Sequence, residues 1–63
     1  MIYIDNNYIS IKNYQGILLL QNNLVEIKLP QQLLQITGQE LEIRYFCHEE
    51  IVIIGKIRSL KFS

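Results

Sequence analysis

The chain has a single cluster of chemically reactive side chains, formed by the consecutive residues Cys47, His48, Glu49 and Glu50. A zinc site needs about four nitrogen, sulfur or oxygen ligands, and the sequence has no second cysteine or histidine to help supply them. A nucleophilic Cys–His pair is also disfavoured, because neighbouring side chains on an extended chain point to opposite faces. We therefore interpret the cluster as a polar turn between a strand that ends at Phe46 and one that starts at Ile51, with Cys47 half-buried.

No other set of side chains has the spacing of a catalytic or binding motif. A Gly-rich phosphate loop, a Ser/His/Asp set and an acid/base pair of carboxylates cannot be identified, and Glu40 and Glu42 are interpreted as solvated strand neighbours. Tyrosine in a β-protein usually packs its ring and exposes its hydroxyl, which we favour over a base-stacking platform. The tyrosines concerned are Tyr3, Tyr8, Tyr14 and Tyr45. We predict that the protein is not an enzyme and has no cofactor and no metal.

The charges argue against a nucleic-acid partner. Six basic and six acidic residues give a formal net charge of zero, whereas a small nucleic-acid-binding domain normally gathers a basic excess on one face. The basic residues are spread along the sequence, at Lys12, Lys28, Arg44, Lys56, Arg58 and Lys61. We interpret them as solvated strand faces, and a small β-barrel regulator that binds nucleic acid or a ligand remains the alternative.

Composition and periodicity both favour β-structure. The chain has twelve Ile, nine Leu and no Ala, and β-branched side chains suit a pleated, half-buried surface whereas Ala is the best helix former. Hydrophobic and polar residues alternate at 9–12, 25–29 and 41–45, and short apolar runs occur at 34–37 and 51–54. We predict an all-β domain over residues 1–63, a small antiparallel meander or sandwich with at least five short strands.

Several positions carry more specific predictions. Gly38 and Gly55 should lie in turns or bulges, and burying Ile57 together with Leu60 and Phe62 requires a bulge near Arg58–Ser59. The segment Leu34-x-Ile36-x-Gly38 recurs as Ile51-x-Ile53-x-Gly55, which leaves a short β-solenoid as an alternative fold. The residues that should be most buried are Val25, Ile27, Leu34, Ile36, Leu41, Ile43, Ile53 and Leu60.

Protein–protein interaction is the activity that the physical properties favour. A small sheet leaves unpaired backbone groups at its edges, and about half of the residues are hydrophobic. The longest apolar run exceeds what one sheet face can hide, so we predict an interaction surface at Ile17, Leu18, Leu19 and Leu20. We expect a homo-oligomer or a complex with another protein.

The sequence also indicates a soluble protein of the cytoplasm. The single cysteine cannot form an internal disulfide, which favours a reducing compartment. No signal peptide is visible at residues 1–5, and the apolar run at 17–20 is far shorter than the ~20 residues of a membrane-spanning helix.

Four segments, at 9–18, 24–27, 34–43 and 50–62, resemble the YabP/YqfC family of sporulation proteins, and its YqfC branch most. The family pattern I-x-G-x-x-L-x-I is legible at Ile36–Ile43, and I-x-I-x-G-x-I-x-S-[ILV]-x-[FY] at Ile51–Phe62. The resemblance spans nearly the whole chain, which is shorter at its N-terminus than many members. It implies a non-enzymatic role in spore-envelope formation in a low-GC Gram-positive bacterium, in the mother cell or at the forespore surface, with another sporulation protein or a second copy as partner. The shared positions are apolar residues and glycines, so no catalytic or cofactor-binding residue is implied.

Overall fold

The computed structural model describes all 63 residues and contains six β-strands and no helix. The strands are β1 (Ile2–Asp5), β2 (Tyr8–Lys12), β3 (Gly16–Leu20), β4 (Leu24–Lys28), β5 (Leu33–Phe46) and β6 (Glu50–Phe62). They form one sheet in the order β1-β2-β6-β5-β4-β3, and every neighbouring pair is antiparallel. The prediction of a small antiparallel all-β fold is confirmed. The β-solenoid alternative is wrong, because no pair of strands runs parallel.

The sheet bends across the middle of its two long strands, and its halves face each other. The first layer comprises β1, β2, residues 50–54 of β6 and residues 42–46 of β5. The second layer comprises β3, β4, residues 33–37 of β5 and residues 56–62 of β6. A single hydrophobic core joins the layers, since Ile9 and Ile11 of β2 belong to the same buried cluster as Val25 and Ile27 of β4.

The bend is built from irregularities in the pairing of β5 with β6. The register shifts between Gln39 and Glu42, opposite Gly55, and again between Thr37 and Gly38. At the second shift Thr37 pairs with Ser59 and Gly38 with Ile57, so Arg58 is the extra residue of a bulge. The predicted bulge near Arg58–Ser59 is therefore confirmed, and it lets Ile57 and Leu60 both pack against the core.

Gly38 and Gly55 lie inside strands at this bend and not in turns. A Cβ at Gly38 would lie 2.0 Å from the backbone oxygen of Lys56. One at Gly55, where φ is +137°, would lie 2.6 Å from the backbone oxygen of Glu40. The glycines are therefore required where the backbones of β5 and β6 come too close for a side chain. Of the two alternatives, turn or bulge, the turn is wrong, because the pairing of β5 and β6 continues on both sides of each glycine.

The short repeat in the sequence reflects an internal pseudo-twofold arrangement. The β1–β2 hairpin packs along β6 and the β3–β4 hairpin packs along β5 in matching registers. The hairpin turns are held alike, because Gly55 donates its N–H to the carbonyl of Asn7 at 3.2 Å and Gly38 to that of Asn23 at 3.1 Å. The edge strands β1 and β3 are therefore equivalent positions of the fold.

The predicted core is largely confirmed. Six of its members are buried, namely Val25, Ile27, Leu34, Ile36, Leu41 and Ile53, and the sequence analysis missed the fully buried Ile9, Ile11 and Ile51. Ile43 and Leu60 are only half-buried, because both lie in the parts of β5 and β6 that have a strand on one side only. The expected burial of Phe62 with Ile57 and Leu60 is wrong, because Phe62 is the last residue of β6 and is 45% exposed.

The close approach at Gly38 leads to a stability prediction. We expect Gly38→Ala to lower the free energy of unfolding by about 2–4 kcal/mol, because the new Cβ overlaps backbone that cannot rotate away. Gly16→Ala is the matched control, since nothing lies within 4 Å of a Cβ there, and it should change stability by less than about 0.5 kcal/mol. Urea unfolding followed by circular dichroism measures both variants. Equal midpoints for the two would contradict the proposed role of Gly38.

Candidate functional site

Residues 47–49 of the reactive cluster form the predicted connection between β5 and β6, whereas Glu50 is already the first residue of β6. The backbone N–H of Cys47 donates to the carbonyl of Glu50 at 2.8 Å. The hydroxyl of Tyr14 donates to the carbonyl of Cys47, also at 2.8 Å. These two hydrogen bonds fix the turn and fasten it to the segment that joins β2 to β3.

The thiol of Cys47 is half-buried and electrostatically perturbed. A hydrogen bond from the backbone N–H of Glu49 holds the pKa of Cys47 below its ordinary value, and the hydroxyl of Tyr45 adds to this effect. The same contact raises the pKa of Tyr45, because its proton is shared with the thiol. No group of three or more His, Cys, Asp or Glu side chains comes together to hold a metal ion. The arrangement yields a thiol that is more acidic than usual and is hydrogen-bonded to the hydroxyl of Tyr45.

The apolar run at residues 17–20 occupies β3, one of the two edge strands of the sheet. Leu18 is 58% exposed, Leu20 is 50% exposed and Ile17 is 36% exposed. Leu19 differs, because it pairs with Glu26 and is half-buried. The register of β3 on β4 shifts between Ile17 and Leu19, so Leu18 is the extra residue of a bulge and projects from the edge.

Sequence reasoning did not anticipate that this edge continues onto the end of β5. Residues 42–46 of β5 pair with β6 only, so a groove separates them from the start of β3. The groove has a volume of about 500 Å³, and Tyr14, Gly16, Ile17 and Phe46 are among the residues that line it. Phe46 is 62% exposed. The four apolar side chains Ile17, Leu18, Leu20 and Phe46 are named here the β3 edge patch.

A protein-family match covers the whole chain, including the β3 edge patch. The model of the YabP family matches residues 1–63. The chain belongs to the YabP family. Membership in the YabP family makes it a sporulation-related protein. No curated protein and no solved structure matches the chain.

The two signature patterns of the YabP family resemblance lie in the two longest strands. Ile36–Ile43 lies in β5 and Ile51–Phe62 in β6, and both segments include a glycine of the bend. These residues include Ile36, Leu41, Ile51 and Ile53 of the core and form the crossing of the two strands. They therefore contribute to the fold, whereas Leu20 and Phe46 of the β3 edge patch lie outside all four segments of the resemblance. The fold provides no helix that could span a lipid bilayer.

The environment of Cys47 predicts its reactivity. Alkylation by iodoacetamide across a pH series should follow a midpoint below the value of about 8.5 for a free thiol, because hydrogen bonds stabilise the thiolate. Tyr45→Phe should move the midpoint upward in part, since the N–H of Glu49 remains in place. Tyr8→Phe, a tyrosine without this contact, is the control. A midpoint that Tyr45→Phe leaves unchanged would show that the tyrosine does not act on the thiol.

The turn itself should be dispensable for function. We expect a Cys47→Ser, His48→Gln double variant to fold and to support sporulation normally, because the turn is held by backbone groups and by Tyr14. Spore counts after heat treatment and circular dichroism of the purified variant measure the two outcomes. Loss of spores with an intact fold would mean that the side chains carry chemistry.

Proposed function

We propose that this YabP family protein is a non-enzymatic component of spore-envelope formation that acts by assembling with itself or with another sporulation protein. The observation that carries the proposal is the β3 edge patch, a run of exposed apolar side chains on an unpaired strand. Leu18 and Leu20, both at least half exposed, lie there without any charged neighbour on the strand. Monomeric proteins usually protect such edges with lysine, proline or a bulge; β3 has a bulge at Leu18 but neither lysine nor proline to keep its apolar side chains from a partner.

The size of the core supports the same proposal. A domain of about this length rarely gains more than ~3–5 kcal/mol from its own core without a metal or a disulfide. Only 13 of the 63 residues are buried, and the one cysteine is free. A partner that covers the β3 edge patch adds buried apolar area at roughly 25 cal/mol per Å², which stabilises the folded chain as well as the complex.

The bulge at Leu18 shapes the contact that we propose. A bulge twists an edge and interrupts a long backbone ladder, so the partner is held mainly by side chains packed on Leu18, Leu20 and Phe46. Because the same patch is present on every copy, pairing two copies about a twofold axis buries it twice. We place this activity in the mother cell of a Gram-positive spore former, in the cytoplasm or at the forespore surface, as the sequence resemblance implies.

The proposal predicts a mass above that of one chain for the isolated protein. Light scattering at micromolar concentration should give an oligomer, and Leu18→Lys should reduce the mass because a charge on the patch must then be desolvated. Gln31→Lys, in the exposed turn before β5, adds the same charge elsewhere and should leave the mass unchanged. A monomer for all three proteins would refute self-assembly through β3.

A pull-down from sporulating cells separates the two kinds of partner. A tagged wild-type chain should capture a protein that tagged Leu18→Lys does not capture. If both variants capture the same proteins in equal amounts, the β3 edge patch is not the binding surface.

A further inference from the structure

The outer face of the first layer carries three exposed tyrosines over a buried floor. Tyr3, Tyr8 and Tyr45 are 60%, 37% and 52% exposed. The strand registers place Tyr3 opposite Ser10, Ser10 opposite Val52 and Val52 opposite Tyr45, so these residues form one row across the layer. Ser10 and Val52 are only 8% and 6% exposed although they face away from the core. Ser10 lies on the floor of a shallow depression that the rings of Tyr3 and Tyr8 line, and Tyr45 lies at the other end of the same row.

A carboxylate is held in place on this floor. The hydroxyl of Ser10 donates to Oε2 of Glu50 at 2.7 Å. The rings of Tyr3 and Tyr8 meet edge to face beside it, with their centroids 5.9 Å apart. A cavity of about 220 Å³ lies between these side chains, and Lys12 also lines it. A fixed carboxylate among tyrosine rings is the arrangement that binds a cationic side chain, through a charge-assisted hydrogen bond and the ring faces.

The fold separates the charges that the sequence spreads along the chain. The second layer carries four basic residues and one acidic residue, which are Lys28, Lys56, Arg58, Lys61 and Glu26. The first layer with its β5–β6 turn carries four acidic and two basic residues, which are Asp5, Glu42, Glu49, Glu50, Lys12 and Arg44. The sixth acidic residue, Glu40, lies at the bend between the two layers. The zero net charge of the protein therefore conceals an acidic layer and a basic layer.

We propose that the tyrosine-lined outer face of the first layer binds the basic outer face of the second layer of another copy. Lysine side chains such as Lys61, which pairs with Gln35 on that basic face, supply the cations that Glu50 and the tyrosine rings receive. The two faces belong to opposite layers, so the contact is head-to-tail and each copy can extend a stack. This interface goes beyond the edge contact proposed above and does not use the β3 edge patch.

The size of the faces sets the strength of the contact. Four strands about 4.8 Å apart and five residues long at about 3.3 Å each give a face of roughly 300 Å² per copy. The total of about 600 Å² lies below the roughly 1,200 Å² of a stable interface. The contact is therefore weak, and because exposed charges contribute to it, it weakens as salt is added.

The test uses the full chain with Leu18→Lys, which removes the edge contact and keeps the two proposals separable. Amide chemical shifts are recorded by NMR over a dilution series from millimolar to micromolar concentration at low salt. We expect the amides of Ser10, Val52 and Lys61 to shift together with concentration and to stop shifting at high salt. If Leu18→Lys folds poorly, the same amide shifts are recorded for the wild-type chain at the lowest concentrations that NMR can measure.

Charge variants on the same background identify the contact. Glu50→Gln should reduce the concentration-dependent shifts severalfold, whereas Lys12→Gln should increase them because it removes a competing cation from the cavity. Glu50→Lys and Lys61→Glu should each fail to associate alone, and an equimolar mixture of the two should restore the shifts. Glu49→Lys is the matched control for Glu50→Lys, since it makes the same change in the charge of the layer at a residue that does not line the depression, and it should reduce the shifts much less than Glu50→Lys does.

The outcomes that would overturn the proposal are distinct from those that concern the β3 edge. Shifts that are independent of concentration at low salt, or that persist at high salt and in Glu50→Gln, would exclude this interface. A single-stranded oligonucleotide is added in a separate experiment. If it shifts only amides of the second layer, and dilution has no effect, the basic face binds an anionic polymer instead of a second copy. A salt-sensitive association in Leu18→Lys supports the stacking whether or not the wild-type chain pairs through β3.

Discussion

The close approach of β5 and β6 at Gly38 and Gly55 is the constraint on which the remaining structure depends. At both positions the space that a side chain would need is filled by a backbone oxygen of the facing strand. The two long strands can therefore cross and bend at their middles. As a result, residues 33–37 of β5 belong to the second layer and residues 42–46 belong to the first. Only this bend brings Ile9 and Ile11 into the same core as Val25 and Ile27, which a flat sheet of the same strands would leave exposed on one side.

The bend leaves open edges, on which the proposed function depends. A sheet folded on itself without closing has open edges, here β1, β3, the end of β5 and the end of β6. The pseudo-twofold arrangement makes β1 and β3 equivalent, yet the two edges differ in chemistry. β3 contains only glycine and aliphatic residues, with a bulge at Leu18, whereas β1 ends in Asp5. The contact that we propose uses the apolar edge of this chemically unequal pair.

The sequence predicted the positions of the strands better than it predicted which strands pair with each other. Alternation identified most strands because burial of one face imposes a period of two on each strand independently. It could not identify which strands pair, because pairing depends on residues far apart in the chain. For that reason the repeat that ends at Gly38 and Gly55 was compatible with a β-solenoid. In the structure, the repeat instead reflects the equivalence of β5 and β6, each of which pairs with one hairpin. Likewise Phe46 could not be joined to Ile17, since only the bend brings the end of β5 beside the start of β3.

The distribution of charge between the layers, like the pairing of the strands, could not be predicted from the sequence alone. Net charge is a sum over the chain, and a fold that places each hairpin on one layer can sort the charges without changing that sum. Lys56, Arg58 and Lys61 belong to the second layer because β6 crosses to it after Gly55, while Glu50, before the crossing, stays in the first. Glu50 and the three basic residues of β6 therefore lie in opposite layers of the domain. The glycine crossing that closes the core also creates the polarity that a head-to-tail contact between copies requires.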